Sequence, residues 1–137
     1  MDIPFDFEMV GHSDADVLLH AVTDAVLGAA AQGDIGELFP NTDESNRDRD
    51  SADFLLAAVS KVQAAGFRVV NLDCIVFAER PKLSQYKVPI AENLAKMLQV
   101  AASAVNVKAK TGEAVGPVGR GEAIMAECIV MLESTSD

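Results

Sequence analysis

Both histidines of the chain, His12 and His20, lie in one short stretch, GHSDADVLLHAVTD, with Asp14, Asp16 and Asp24 around them. If this stretch is helical, Asp16, His20 and Asp24 recur every fourth residue and share one face. An imidazole between two carboxylates suits a divalent metal such as Zn²⁺, with the carboxylates orienting the ring. It equally suits a helix-face histidine paired with its neighbours, because a single imidazole makes a weak metal site. His12 stands ahead of the helix. There it either meets an anion, favoured by free N–H groups and the helix dipole, or is a solvated loop side chain.

Three further stretches carry chemistry. Residues 110–121, KTGEAVGPVGRG, hold four glycines and one proline. Glycines let backbone N–H groups close on an anion, Thr111 offers a hydroxyl, and Lys110 and Arg120 supply positive charge. Glu113 among them could hold a cation that bridges phosphates. This reads as a phosphate loop, although it is not a Walker A sequence and a tight turn has the same composition. Asp34-Ile35-Gly36 and Phe39-Pro40-Asn41-Thr42-Asp43 could hold sugar-like hydroxyls, or form a solvated acidic loop. The Pro81-Lys82 loop could meet a base through backbone groups, but taken alone it reads as surface.

Elements are needed to position these residues. Leu18, Val22, Ala25, Val26 and Ala29 repeat with a helical period. Ser13 or Asp14 can cap that helix and Gly33 ends it. Residues 34–50 read as a long polar loop, and Ser51 caps a second helix that runs to Gly66. Phe67 to Phe77 is a β-branched-rich strand, 78–84 a loop, 86–99 a helix, and Val105 to Ala109 a short strand. Residues 122–133 form a last strand. Residues 1–10 read as an edge strand, where Pro4 is tolerated.

Half of the 137 residues are apolar and only 5% aromatic, which suits small-residue helices on a sheet. The length predicts one domain. Strands alternating with helices suggest a small α/β or α+β sandwich with one mostly buried sheet covered by helices. The formal net charge of −10 argues against nucleic-acid and anionic-membrane binding, but not against a small phosphorylated ligand. Cys74 and Cys128 read as reduced core thiols of a cytoplasmic protein. No apolar run is long enough to span a bilayer, and no signal-peptide pattern opens the sequence.

The block GHSDADVLLHAVTDAVLGAAAQGDIGELFPNTD resembles the central motif of the 2-C-methyl-D-erythritol 2,4-cyclodiphosphate synthases, lyases of non-mevalonate isoprenoid biosynthesis. The resemblance continues through AERPKL, VNVKAKTGE and GRGE, from about Ile3 onward. It narrows the class to α+β, a two-layer sandwich of a mixed sheet flanked by helices, and implies a homotrimer with active sites between subunits. The implied substrate is 4-diphosphocytidyl-2-C-methyl-D-erythritol 2-phosphate, whose 2-phosphate attacks the β-phosphate and releases CMP. The implied metals are Zn²⁺, which aligns the phosphates, and Mg²⁺ or Mn²⁺, which bridges them.

Carried over by motif, His20 resembles the zinc-binding histidine and Glu113 the Mg²⁺ ligand. His12 and Ser13 resemble phosphate and transition-state contacts, and His12 with Thr111 is implied as catalytic. Asp34, Ile35, Gly36, Phe39, Pro40, Asn41, Thr42 and Asp43 resemble the methylerythritol contacts. Ala78, Glu79, Arg80, Pro81, Lys82, Leu83 and Ser84 resemble the cytidine loop. Thr111 resembles the threonine that stabilises the transition state, with Lys110 and Gly112 beside it, and Arg120 resembles a phosphate contact. Asp24 becomes at most a supporting residue. Three departures stand out. The family's Asp-x-His strand supplies two more zinc ligands, and Asp2, Asp6 and Glu8 do not reproduce its spacing. Lys110 replaces a threonine, and Pro117 an aromatic. The expectation is therefore an incomplete zinc site. The alternative reading is a silent homologue that keeps the nucleotide-binding trimer.

Overall fold

The computed structural model describes residues 12–39, 51–79 and 86–135. In chain order they form α1 (His12–Ala29), α2 (Ile35–Leu38), α3 (Ser51–Ala64), β1 (Phe67–Phe77), α4 (Lys87–Leu98), a 3₁₀ turn (Ala102–Ala104), β2 (Val105–Lys110), α5 (Gly116–Gly119) and β3 (Met125–Ser134). The expected edge strand at 1–10 lies outside the described residues.

Strand β1 is the middle of a mixed sheet of order β2-β1-β3. It pairs in parallel with β2, from Leu72 on Val105 to Phe77 on Lys110. It pairs antiparallel with β3, from Phe67 on Ser134 to Phe77 on Met125. Parallel neighbours need a long crossover, and α4 provides it. A register shift between Val69 and Asn71 leaves Val70 as an extra residue. This bulge is why Val69 and Leu72, three apart, are both buried, whereas the alternation of two runs unbroken through Leu72, Cys74 and Val76.

Helices α1, α3 and α4 cover one sheet face in a single core, with α1 on β3, α3 on α1 and α4 on β2. The buried stripe of α1 is Leu18, Leu19, Val22, Thr23, Val26 and Leu27, with Ala30 buried just beyond its end, so Ala29 of the expected set faces solvent. Thr23 is fully buried, and its hydroxyl donates to the Leu19 carbonyl at 2.7 Å, which satisfies it within the helix. Ser13 and Asp14 fall inside the first turn, and His12 already belongs to the helix. The helix also stops before Gly33. Ala31 takes the left-handed conformation (φ 55°). Its amide bonds the Gly28 carbonyl at 3.0 Å and the Gln32 amide bonds Leu27 at 2.9 Å, a Schellman ending without glycine.

Among the described residues the second sheet face is open, contrary to the mostly buried sheet expected. Ile129 (75% exposed), Met131 and Met125 stand on it beside half-buried Ile75 and Phe77. The continuous apolar run of β3 therefore signals burial on two sides, only one of which is covered among the described residues. On the same face Lys108 Nζ bonds Asp73 at 2.9 Å and Asn106 donates to it at 3.1 Å. These bonds, Lys108's first, hold the Asp73 carboxyl below its ordinary range.

Cys74 and Cys128 face each other across β1 and β3 as free thiols. A hydrogen bond with Cys74, then burial, pushes the Cys128 thiol far above the ordinary range, so it stays protonated. Among the described residues no helix is long and apolar enough to cross a membrane.

Leu72 sits at the sheet centre and is 2% exposed. Leu72→Ala is expected to lower unfolding free energy by about 2–5 kcal/mol. Urea titration should show a lower midpoint at unchanged slope.

Candidate active site

The outer edge of α1 carries the first group. Asp16, His20 and Asp24 lie on one helix face as the spacing predicts, yet no hydrogen bond joins the imidazole to either carboxylate directly. Ser51, the first residue of α3, stands between two of them. Its hydroxyl donates to Asp16 Oδ1 at 2.8 Å and lies 3.1 Å from His20 Nε2. The expected role of Ser51 as a cap is thus replaced by a bridge between helices. Phe54, one turn along α3, places its ring 6.1 Å from the imidazole and packs on Phe39 at 4.5 Å. Asp24 Oδ1 accepts the Ile35 amide at 2.8 Å. Asp34 caps α2 by accepting the Glu37 amide at 2.8 Å. Two carboxylates thereby fix the backbone of 34–37, where the sequence predicted part of a long polar loop.

The second group forms where β1 and β2 end together. The Ala78 amide donates to the Lys110 carbonyl at 3.0 Å, extending the parallel ladder. Glu79 Oε1 then accepts the amides of Gly112 at 3.1 Å and Ala114 at 3.4 Å. A carboxylate thus occupies amides of the stretch predicted to cradle an anion, and ties the loop after β1 to the loop after β2. The Thr111 hydroxyl accepts the Glu113 amide at 3.1 Å. Glu113 and Ala114 both have positive φ, and the loop folds back through α5. A Cβ on Gly112 would overlap the backbone nitrogen of Gly119, so glycine is required there for close approach of the chain to itself. Arg120 pairs with Glu122 at 3.1 Å, with both side chains more than half exposed.

The structure therefore brings together His20 with Asp16, Asp24 with Ile35, and Ala78 and Glu79 with Lys110, Thr111, Gly112 and Glu113. Pro40, Asn41, Thr42, Asp43, Arg80, Pro81, Lys82, Leu83 and Ser84 lie outside the described residues, as do the side chains of His12 and Ser13. His20 fits one ligand position of a metal: an exposed imidazole held by its neighbours. Glu113, an exposed carboxylate in the glycine-rich loop, fits an oxygen ligand. Among the described residues no cluster of three or more His, Cys, Asp or Glu side chains completes a site. Sequence reasoning missed Ser51 and Phe54 as parts of this group. The available signal was a serine at the start of an apolar helical stripe, where burial demands a polar partner.

The pattern of the YgbB family matches residues 1–133. A 2-C-methyl-D-erythritol 2,4-cyclodiphosphate synthase of Rhodopirellula baltica is 49% identical over 132 residues, 96% of this chain and 80% of the relative. The bifunctional IspDF of Campylobacter jejuni superimposes with a TM-score of 0.83 at 43% identity, over 90% of this chain and 33% of that longer one. A 2C-methyl-D-erythritol-2,4-cyclodiphosphate synthase solved in a CDP-bound form gives a TM-score of 0.76 at 31% identity, over 84% of this chain and 74% of its own.

If Asp24 anchors the loop, Asp24→Ala should speed hydrogen exchange at the Ile35 amide about tenfold, equivalent to ~1.4 kcal/mol. Asp24→Asn, which keeps an acceptor oxygen, should stay near the parent. NMR-detected exchange of that one amide checks it.

Proposed function

This chain belongs to the YgbB family, and on that premise we propose how its residues perform the reaction. It is an enzyme, a phosphorus–oxygen lyase. It converts 4-diphosphocytidyl-2-C-methyl-D-erythritol 2-phosphate to 2-C-methyl-D-erythritol 2,4-cyclodiphosphate and CMP. The observation that carries this is that the family pattern runs through every loop of the site, residues 1–133. The identity of 49% to a relative named for the activity favours the enzyme over a silent homologue.

The reaction is intramolecular. An oxygen of the 2-phosphate bonds to the β-phosphorus, the bond from that phosphorus to the bridging oxygen breaks, and CMP leaves with the electron pair. The work of the site is then to hold two anionic groups in line and offset their charge. Residues 78–84, with Lys82 central, take the cytidine end. Lys110, the Thr111 hydroxyl and Arg120 face the diphosphate, while Glu79 and the Thr111 oxygen keep the amides of Gly112, Glu113 and Ala114. His12 and Ser13, at the first turn of α1, take phosphate oxygens there. Asp34, Ile35, Gly36 and Phe39, with 40–43, hold the methylerythritol. The fixed backbone of 34–37 and the exposure of Lys110, Thr111 and Arg120 support these roles. When bound, Zn²⁺ on His20 would align phosphates and Mg²⁺ or Mn²⁺ on Glu113 would neutralise their charge.

The open sheet face supports a homotrimer with sites between subunits. Its apolar residues Ile75, Phe77, Met125, Ile129 and Met131 would be covered by neighbouring copies. The free thiols of Cys74 and Cys128 fit a cytoplasmic setting.

CMP release from the substrate, with Zn²⁺ and Mg²⁺ supplied, tests the reading. Glu113→Gln and Thr111→Val are each expected to lower kcat/KM by roughly 10²–10³-fold. Parental rates in both would remove the loop from the mechanism. For assembly, light scattering should give a trimer for the parent chain and a smaller species for Ile129→Glu. A monomeric parent at the same concentration contradicts the trimer.

A further inference from the structure

The bridge at Ser51 specifies more than the position of His20. Ser51 is 6% exposed, and its hydroxyl meets two groups, Asp16 Oδ1 at 2.8 Å and His20 Nε2 at 3.1 Å. A hydroxyl has one proton to give and lone pairs to receive with, whereas a carboxylate only accepts. If Ser51 gave its proton to the ring, its oxygen would face the carboxylate with no proton between two acceptors. The proton therefore goes to Asp16. The remaining contact is satisfied only if His20 Nε2 carries a hydrogen and donates it to Ser51. A neutral imidazole protonated at Nε2 has its free lone pair at Nδ1. The Phe54 ring lies 6.1 Å away, tilted by 47°, on one side of the imidazole.

We infer that Ser51, relayed to Asp16, is a positioning residue that locks His20 in the Nε2–H tautomer and makes Nδ1 its metal-ligating nitrogen. This rests on the reading of His20 as a metal ligand. It adds a residue from a different helix to the metal chemistry, and gives Asp16 a role through the hydroxyl. It also explains why a serine is buried at the start of α3: its two hydrogen bonds replace the water it gives up.

The test uses the full chain labelled with ¹⁵N at histidine. Long-range ¹H–¹⁵N spectra are recorded metal-free at alkaline pH, with His12→Gln assigning the two rings. The expected spectrum shows His20 protonated at Nε2, and added Zn²⁺ moves the Nδ1 resonance. Ser51→Ala is expected to weaken Zn²⁺ binding in calorimetry by roughly 10–100-fold, while Ser51→Thr, which keeps the hydroxyl, stays near the parent. A His20 ring protonated at Nδ1, or a zinc shift at Nε2, overturns the inference. That result comes from the parent chain, so it stands whether or not Ser51→Ala folds. Zn²⁺ binding weakened by His20→Ala but unchanged in Ser51→Ala overturns only this inference. Zn²⁺ binding unchanged in His20→Ala overturns the ligand reading as well.

Discussion

Parallel pairing of β1 with β2 constrains everything at the glycine-rich end of the candidate site. Parallel neighbours leave a sheet at the same end, so the loops that follow Phe77 and Lys110 must start side by side. The Ala78 amide on the Lys110 carbonyl carries the ladder one bond past the strands. Glu79 then gathers the amides of Gly112 and Ala114. Gly112 and Gly119 pass backbone to backbone, so the second loop is compact before any ligand arrives. A reaction that joins two ends of one substrate gains from such fixed spacing, since the cost of orienting the groups is met during folding.

Helix α1 does two jobs with two faces. Its apolar stripe, from Leu18 to Leu27, packs on β3 and α3. Its outer edge holds Asp16, His20 and Asp24, engaged with two neighbours: Ser51 for the first two and the Ile35 amide for the third. Packing α3 against α1 is therefore what brings Ser51 and Phe54 to the imidazole. The hydrophobic core and the polar site are one construction, and the core sets the distance between helices that the hydroxyl bridge spans.

Much of this was legible in the sequence. Strand β1 has the predicted bounds because its β-branched run is flanked by Gly66 and a loop, and β2 begins at Val105 as expected. The face shared by Asp16, His20 and Asp24 follows from helical period alone. What escaped was set by long-range contact or by backbone choices that carry no residue signature. Ser51 lies far from His20 along the chain, so only the packing of α3 on α1 reveals their bond. Ala31 ends α1 in a conformation usually given to glycine, so Gly33 drew the boundary too late. The bulge at Val70 has no glycine to mark it. The open sheet face escaped because an apolar strand reads the same whether its own chain or another copy covers it. The Asp34 cap on α2 was readable from an aspartate three residues before Glu37, but the polar composition around it masked so short a helix.

In the proposed reaction this chain positions a 2-phosphate against a β-phosphate, so that the 2-phosphate rather than water attacks. Phosphorus NMR of the products tests it most directly, with the purified chain, its substrate, Zn²⁺ and Mg²⁺ in one tube. The account predicts one cyclic diphosphate for each CMP released, with two coupled phosphorus signals. CMP accompanied by an open-chain bisphosphate would contradict it, because water rather than the 2-phosphate would then be the attacking group.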